Sequence, residues 1–162
     1  MDDIEDSNAI ELDDRNFRID YEVKHHGWAE VSISFEGKSV VREVSYLHDS
    51  LLDLARMARN LREGLSNATA VFMDEPGELQ LHIDCKSEVA NFVVRGYPDW
   101  ASWGMWNADD FEILLEGSCS RLRIVRQITN SLWRIYEVIG PEEYRQSWGH
   151  EFPTDDFDSL TE

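Results

Sequence analysis

The chain is short of positive charge, cysteine, glycine and proline, and each shortage closes off a class of protein. Its 162 residues hold 15 Lys and Arg against 33 Asp and Glu, a formal charge of −18 at pH 7. A general DNA or RNA binder and a protein of anionic membrane surfaces are disfavoured, because both polyanions repel such a chain on approach. Only nine Gly and four Pro occur, while 42% of the residues are hydrophobic. That apolar content is enough to bury a core, so wholesale disorder is not expected. The two cysteines, Cys85 and Cys119, lie far apart in or beside apolar segments and form no CxxC or Cys/His cluster, and they read as buried reduced thiols. No stretch approaches 18 apolar residues, and the first residues lack the basic region and apolar run of a secretory signal. A cytoplasmic location is the expectation. Dinucleotide, P-loop, nucleophile-elbow, HExxH and EF-hand motifs are all missing. No reaction can be named from such a sequence, and no cofactor is implied.

The negative charge is concentrated at the two ends. Residues 1–14 carry seven acids and no base, and residues 151–162 carry five acids and no base. Residues 15–150 keep 21 acids against all 15 bases, a net of −6. The expected organisation is a single α+β domain over residues 15–150 between an acidic N-terminal tail, 1–14, and an acidic C-terminal tail, 151–162. Both tails are read as solubilising and disordered, with Phe152, Phe157 and Leu160 leaving room for a short motif that folds on a partner.

Within the domain, period-two alternation comes first. Phe17, Ile19, Tyr21 and Val23 alternate with charged residues; Ala29, Val31, Ile33 and Phe35 follow after a His26-Gly27 turn. Glu36-Gly37 turns the chain into a third strand carrying Val40, Val41 and Val44. The period then becomes helical. Leu47, Leu51, Leu54, Ala58, Leu61 and Leu65 form one stripe of a helix of about 17 residues, with Asp49 or Ser45 as its cap and Gly64 at its end. Its opposite face carries Arg56, Arg59 and Arg62, read as a solvated row. Strands follow over residues 68–73, 79–84, 90–95 and 111–116, the first two joined by Glu75-Pro76-Gly77-Glu78, which suits a type II turn. A final helix, about 120–139, carries Leu122, Val125, Ile128 or Thr129, Leu132, Ile135 and Ile139, with Pro141 opening a short further turn. The order βββ-α-ββββ-α predicts an α+β fold: one antiparallel sheet of about six to seven strands with two helices packed on it. Seven of the twelve arginines fall in the helices, which predicts an electrostatically polarised molecule.

Few side chains suggest chemistry. His25 and His26 are adjacent, so on a strand they point to opposite faces and rarely share one metal ion. His82 and Asp84 share a strand face at spacing two, where an acid can orient an imidazole, but neither a nucleophile nor a third partner accompanies them. The least ordinary stretch runs from Gly96 to Trp106, with Tyr97, Trp100, Trp103, Trp106 and Met105 in a loop that Pro98 and Gly104 keep from being a regular helix. Tucked over the sheet, such a loop is core. Exposed, Trp100, Trp103 and Trp106 beside Asp99, Asp109 and Asp110 have the composition of a protein-binding hot spot, apolar anchors with an acidic rim.

This pattern resembles the small acidic immunity proteins of bacterial polymorphic and contact-dependent toxin systems, especially those paired with wall-associated toxins. The resemblance rests on the opening strands 17–24 and 28–35, the Leu-rich helix 50–64, the Glu75-Pro76 turn leading into Leu79-Gln80-Leu81, the Tyr97-Pro98-Asp99-Trp100 loop, and Phe111-Glu112-Ile113 before the last helix. It implies a cytoplasmic, non-enzymatic protein that neutralises a toxin domain, often a basic nuclease, by occluding its active site. Asp99, Trp100, Trp103, Trp106, Asp109 and Asp110 are the expected interface, and negative charge would speed association with a basic partner. The alternative is an adaptor or small-ligand-binding domain.

Overall fold

The computed structural model describes residues 16–162; the expected acidic tail over residues 1–14 lies outside them. Three strands open the described chain: β1 (Arg18–Val23), β2 (Trp28–Phe35) and β3 (Lys38–Ser45), paired antiparallel in that order. Both hairpins turn on two residues of positive φ, His26-Gly27 (59° and 80°) and Glu36-Gly37 (50° and 80°), the geometry that matches strand twist. Helix α1 (Ser50–Arg62) follows, then β4 (Asn67–Met73), β5 (Glu78–Lys86), β6 (Val89–Tyr97) and β7 (Glu112–Ser120), again antiparallel in sequence order. Helices α2 (Arg121–Val138), α3 (Gly140–Trp148) and α4 (Thr154–Leu160) close the chain.

The expected single sheet is therefore two, of three and four strands, and four helices replace the expected two among the described residues. The sheets are joined by side chains and not by a hydrogen-bonded ladder. Phe92 on β6 packs against Phe17, just before β1, and Phe35, at the end of β2, with ring centroids 4.9 and 5.0 Å apart. Gly117 on β7 admits that contact, since a Cβ there would lie 2.4 Å from the Phe35 ring. Buried residues of both sheets and of the helices form one hydrophobic core.

Helix α1 is shorter than its leucine stripe suggests. Asp49 caps it, accepting from the Leu52 amide, and Leu51, Leu54, Ala58 and Leu61 are buried, but Leu47 and Leu65 fall outside the helix and are exposed. Helix α2, capped by Ser120, buries Val125, Ile128, Leu132 and Ile135 as expected and leaves Leu122 exposed. Its polar side chains also cover the free edge of β1. Gln127 accepts from the Ile19 amide (3.2 Å), Ser131 donates to the Ile19 carbonyl (3.3 Å), Arg123 donates to the Phe17 carbonyl (2.8 Å), and Arg134 pairs with Asp20. An edge strand covered in this way is closed to further pairing. In β7 the register with β6 shifts between Val94 and Arg95, where Val94 pairs with Leu115 and Arg95 with Ile113. Leu114 is thus the extra residue of a bulge, which accounts for the run Ile113-Leu114-Leu115 in an otherwise alternating strand.

The largest departure lies at the C-terminal end. Residues 151–162, read as a solubilising tail, pack on the molecule: α4 sits against α1 and α2, and Phe152 and Phe157 are buried. The Phe157 ring lies 4.9 Å from Trp133, 5.1 Å from Tyr136 and 5.4 Å from Phe152. Burial of this apolar surface outweighs the acidic composition of the segment, and the arginine row of α1 meets its charge. Arg59 pairs with Asp156 at 3.3 Å, and Arg62 donates to the Ser159 carbonyl. Two of the three arginines read as solvated thus hold the C-terminal helix. The short turn expected after Pro141 is the nine-residue α3, which buries Tyr144 and Trp148.

Candidate functional site

The aromatic loop between β6 and β7 is neither wholly core nor loose. Tyr97, the last residue of β6, is buried, and its hydroxyl donates to the Ala108 carbonyl at 2.9 Å, closing the loop on itself. Trp100 is half-buried; its indole N–H donates to the Asp74 carbonyl at 2.7 Å, and its amide donates to the Asp99 carboxylate at 2.8 Å. A short 3-10 turn, Ala101–Trp103, follows and ends at Gly104, whose φ of 76° suits glycine. Ser102 in that turn donates twice to the Glu78 carboxylate, from its amide (3.1 Å) and from its hydroxyl (2.7 Å).

Glu78 is the anchor that the sequence did not announce. It is only 4% exposed at the start of β5, and it also accepts from the Gln80 amide group. In place of the expected type II turn, the connection contains a cis Glu75–Pro76 bond, with Gly77 at φ 116° and the Asp74 amide donating to the Gly77 carbonyl at 2.9 Å, and Glu78 is the first residue of β5. Alternation along β5 then puts Glu78, Gln80 and His82 on one face. His82 bonds Gln80 Oε1 (2.7 Å) and Thr69 Oγ1 (3.2 Å), so its partners are these two and not Asp84. Burial, and after it the Arg95 charge, hold its pKa below the usual histidine value. His25 and His26 meet edge to face, and no group of three or more metal-ligating side chains converges among the described residues.

Beside the anchored loop opens a cleft of about 530 Å³. Its walls come from β3 (Arg42, Val44), the β4–β5 turn, the end of β6, and Trp106, Asp110, Phe111 and Glu112. Four carboxylates, of Asp74, Glu78, Asp110 and Glu112, face one guanidinium, that of Arg42. Trp106 is held at the cleft by its indole N–H, which donates to the Asp110 carbonyl at 2.8 Å. Phe111 is backed by the Arg95 guanidinium, 4.2 Å from its ring centre. A shallower hollow nearby is lined by Glu75, Pro76, Asp99, Trp100 and Met105.

Of the six residues expected to form an interface, Trp106 and Asp110 line the cleft, and Asp99 and Trp100 line the hollow. Trp103 meets Trp100 edge-on at 5.1 Å and is 49% exposed. Asp109 is exposed and lines neither concavity; its amide donates to the Asn107 side chain. The arrangement suits a cationic, partly apolar group, which would meet rings and carboxylates together.

No protein-family model, curated protein or solved structure matches the chain. No helix among the described residues is long and apolar enough to cross a membrane.

Proposed function

We propose that this chain is a binding protein of the immunity type, which neutralises a toxin domain by seating its aromatic loop over that domain's active cleft. The observation that carries this reading is the combination of exposure and anchoring in one loop. Trp103, Met105 and Trp106 are 49%, 60% and 38% exposed, although hydrogen bonds to Asp74, Glu78, Ala108 and Asp110 fix the backbone around them. Large apolar side chains on a preorganised loop lose little entropy on binding, which favours tight association. The carboxylates of the adjoining cleft favour a basic partner surface and add to the rate of encounter.

The test is affinity capture from lysate of the source organism with the full chain and with a W103A/W106A variant, washed at low and moderate salt. The expected result is one basic toxin domain, retained by the unaltered chain, weakened as salt rises and lost by the variant. Equal retention by both proteins refutes the loop as the interface. Retention of no protein by either refutes a protein partner.

A further inference from the structure

On the far side of α2 from β1 lies a second concavity, of about 510 Å³, with the opposite electrostatic character. It is formed by the end of α1, the β5–β6 turn, the first turns of α2 and Leu160 of α4. Three guanidiniums, of Arg62, Arg121 and Arg126, stand against one carboxylate, of Glu88. In a chain of charge −18 this local excess of two positive charges is an exception.

The three arginines are not equivalent. Arg121 is a fixed brace: it donates to the carbonyls of Leu61 (3.0 Å), Leu65 (2.7 Å) and Ser87 (3.0 and 2.7 Å). A guanidinium has five N–H donors, so one is left over. Arg62 gives a single donor to the Ser159 carbonyl and keeps four. Arg126 is exposed, and no hydrogen bond or ion pair engages it among the described residues. Thr129 and Asn130 supply further polar atoms, and Leu122, Val125 and Leu160 supply an apolar wall. Leu122 is 50% exposed although it lies on the helix stripe expected to be core.

We infer that this pocket binds a phosphate monoester carried on a small aliphatic body, and this inference is independent of the aromatic-loop reading. A phosphate monoester carries about −1.5 to −2 charges at pH 7, which matches the excess of two, whereas a carboxylate leaves one positive charge unmet. Guanidinium forks fit its tetrahedral oxygens in bidentate geometry. The volume exceeds what an inorganic ion fills, so an organic body is expected. The lining holds no aromatic ring, which disfavours a stacked nucleobase, and its apolar residues suit an alkyl chain. The overall negative charge opposes anions at long range, but at physiological salt that field is screened beyond about 8 Å, and contact with the arginines decides.

The test is an NMR titration of the full chain in a buffer free of phosphate, with n-butyl phosphate, butyrate, inorganic phosphate and sulfate as separate probes. Butyl phosphate is expected to give saturable shifts at the amides of residues 122–130 and to bind more tightly than the other three. R126Q, a change at an exposed side chain, is expected to weaken it about tenfold or more, the size of one charge-assisted contact. Equal affinity of R126Q and the unaltered chain overturns the site. Butyrate binding as tightly as butyl phosphate overturns the phosphate assignment, and inorganic phosphate or sulfate doing so overturns the alkyl body. Shifts that do not saturate, or that spread over the whole surface, overturn the proposal altogether.

Discussion

Replacing Phe157 by alanine tests whether the C-terminal segment belongs to the folded unit. The ring is 4% exposed and touches Trp133, Tyr136 and Phe152 with centroids 4.9 to 5.4 Å away. Removal of a buried phenylalanine from a core costs about 3–5 kcal/mol, of which about 0.5–1.5 kcal/mol per ring pair reflects aromatic geometry beyond area. A seven-residue helix can also detach as a unit, so the loss cannot exceed the free energy of docking α4, and the lower end of that range, about 3 kcal/mol, is expected. For a chain of this size each kcal/mol moves the midpoint by about 2–4 °C, so Tm is expected to fall by about 6–12 °C in a circular dichroism melt at pH 7. Asp156→Asn, which removes only the ion pair with the partly exposed Arg59, is expected to shift Tm far less. Chymotrypsin is expected to cleave the Phe157→Ala variant near Phe152 at a concentration that leaves the unaltered chain intact. A Tm within about 2 °C of the unaltered protein, with no gain in cleavage, would show that the apolar packing of α4 contributes nothing to the fold.

Glu78→Gln is expected to cost about 1–3 kcal/mol, because it removes the charge from the acceptor of both Ser102 bonds in a buried site; accelerated hydrogen exchange at the Ser102 amide checks it, and unchanged exchange refutes the anchor. Gly117→Ala is expected to cost about 1–3 kcal/mol by driving a methyl into the Phe35 ring, measured by urea unfolding. His48 and His82, both partly buried, predict opposite pH dependences. The Asp53 carboxylate, hydrogen-bonded to His48 at 2.7 Å, raises the His48 pKa above 6.5, so its stabilising contribution is full below pH 6.5 and is lost as pH rises through the raised value. Burial lowers the pKa of His82, so its contribution is present above pH 6.5 and is lost as pH falls through the lowered value. The Tm difference from the unaltered chain is therefore expected to be larger at pH 5.5 than at pH 8.5 for His48→Gln, and larger at pH 8.5 for His82→Gln. The same pH trend for both variants would refute the assignment.

Much of the site was legible in the sequence as composition, and little of it as geometry. Trp100, Trp103 and Trp106 with Asp99, Asp109 and Asp110 stood out because four aromatics rarely crowd a loop that proline and glycine keep irregular. Their division between cleft, hollow and open surface depends on Glu78 and Asp74, which lie more than 20 residues earlier in the chain. Neither residue has a local signature, because a carboxylate at a hairpin is ordinarily solvated. Its alternation with Gln80 and His82 along β5 sets Glu78 on the polar side of the strand, opposite Leu79, Leu81 and Ile83, so nothing local marked it as buried.

What the sequence determined by itself is the order of the seven strands and the two long helices, and the main apolar stripe of each. Period-two and helical spacings are consequences of backbone geometry, and turn residues such as His26-Gly27 and Glu36-Gly37 carry their own φ preferences. What only tertiary structure decided is which elements share a sheet, and whether a charged segment stays in water. The split into two sheets follows from packing of Phe17, Phe35 and Phe92 across a gap opened by Gly117, contacts between residues up to 82 positions apart. The docking of residues 151–162 turns on Phe152 and Phe157 finding Trp133 and Tyr136 while Arg59 meets Asp156. Composition counts the acids of that segment, but its free energy is set by the apolar surface that another part of the chain provides.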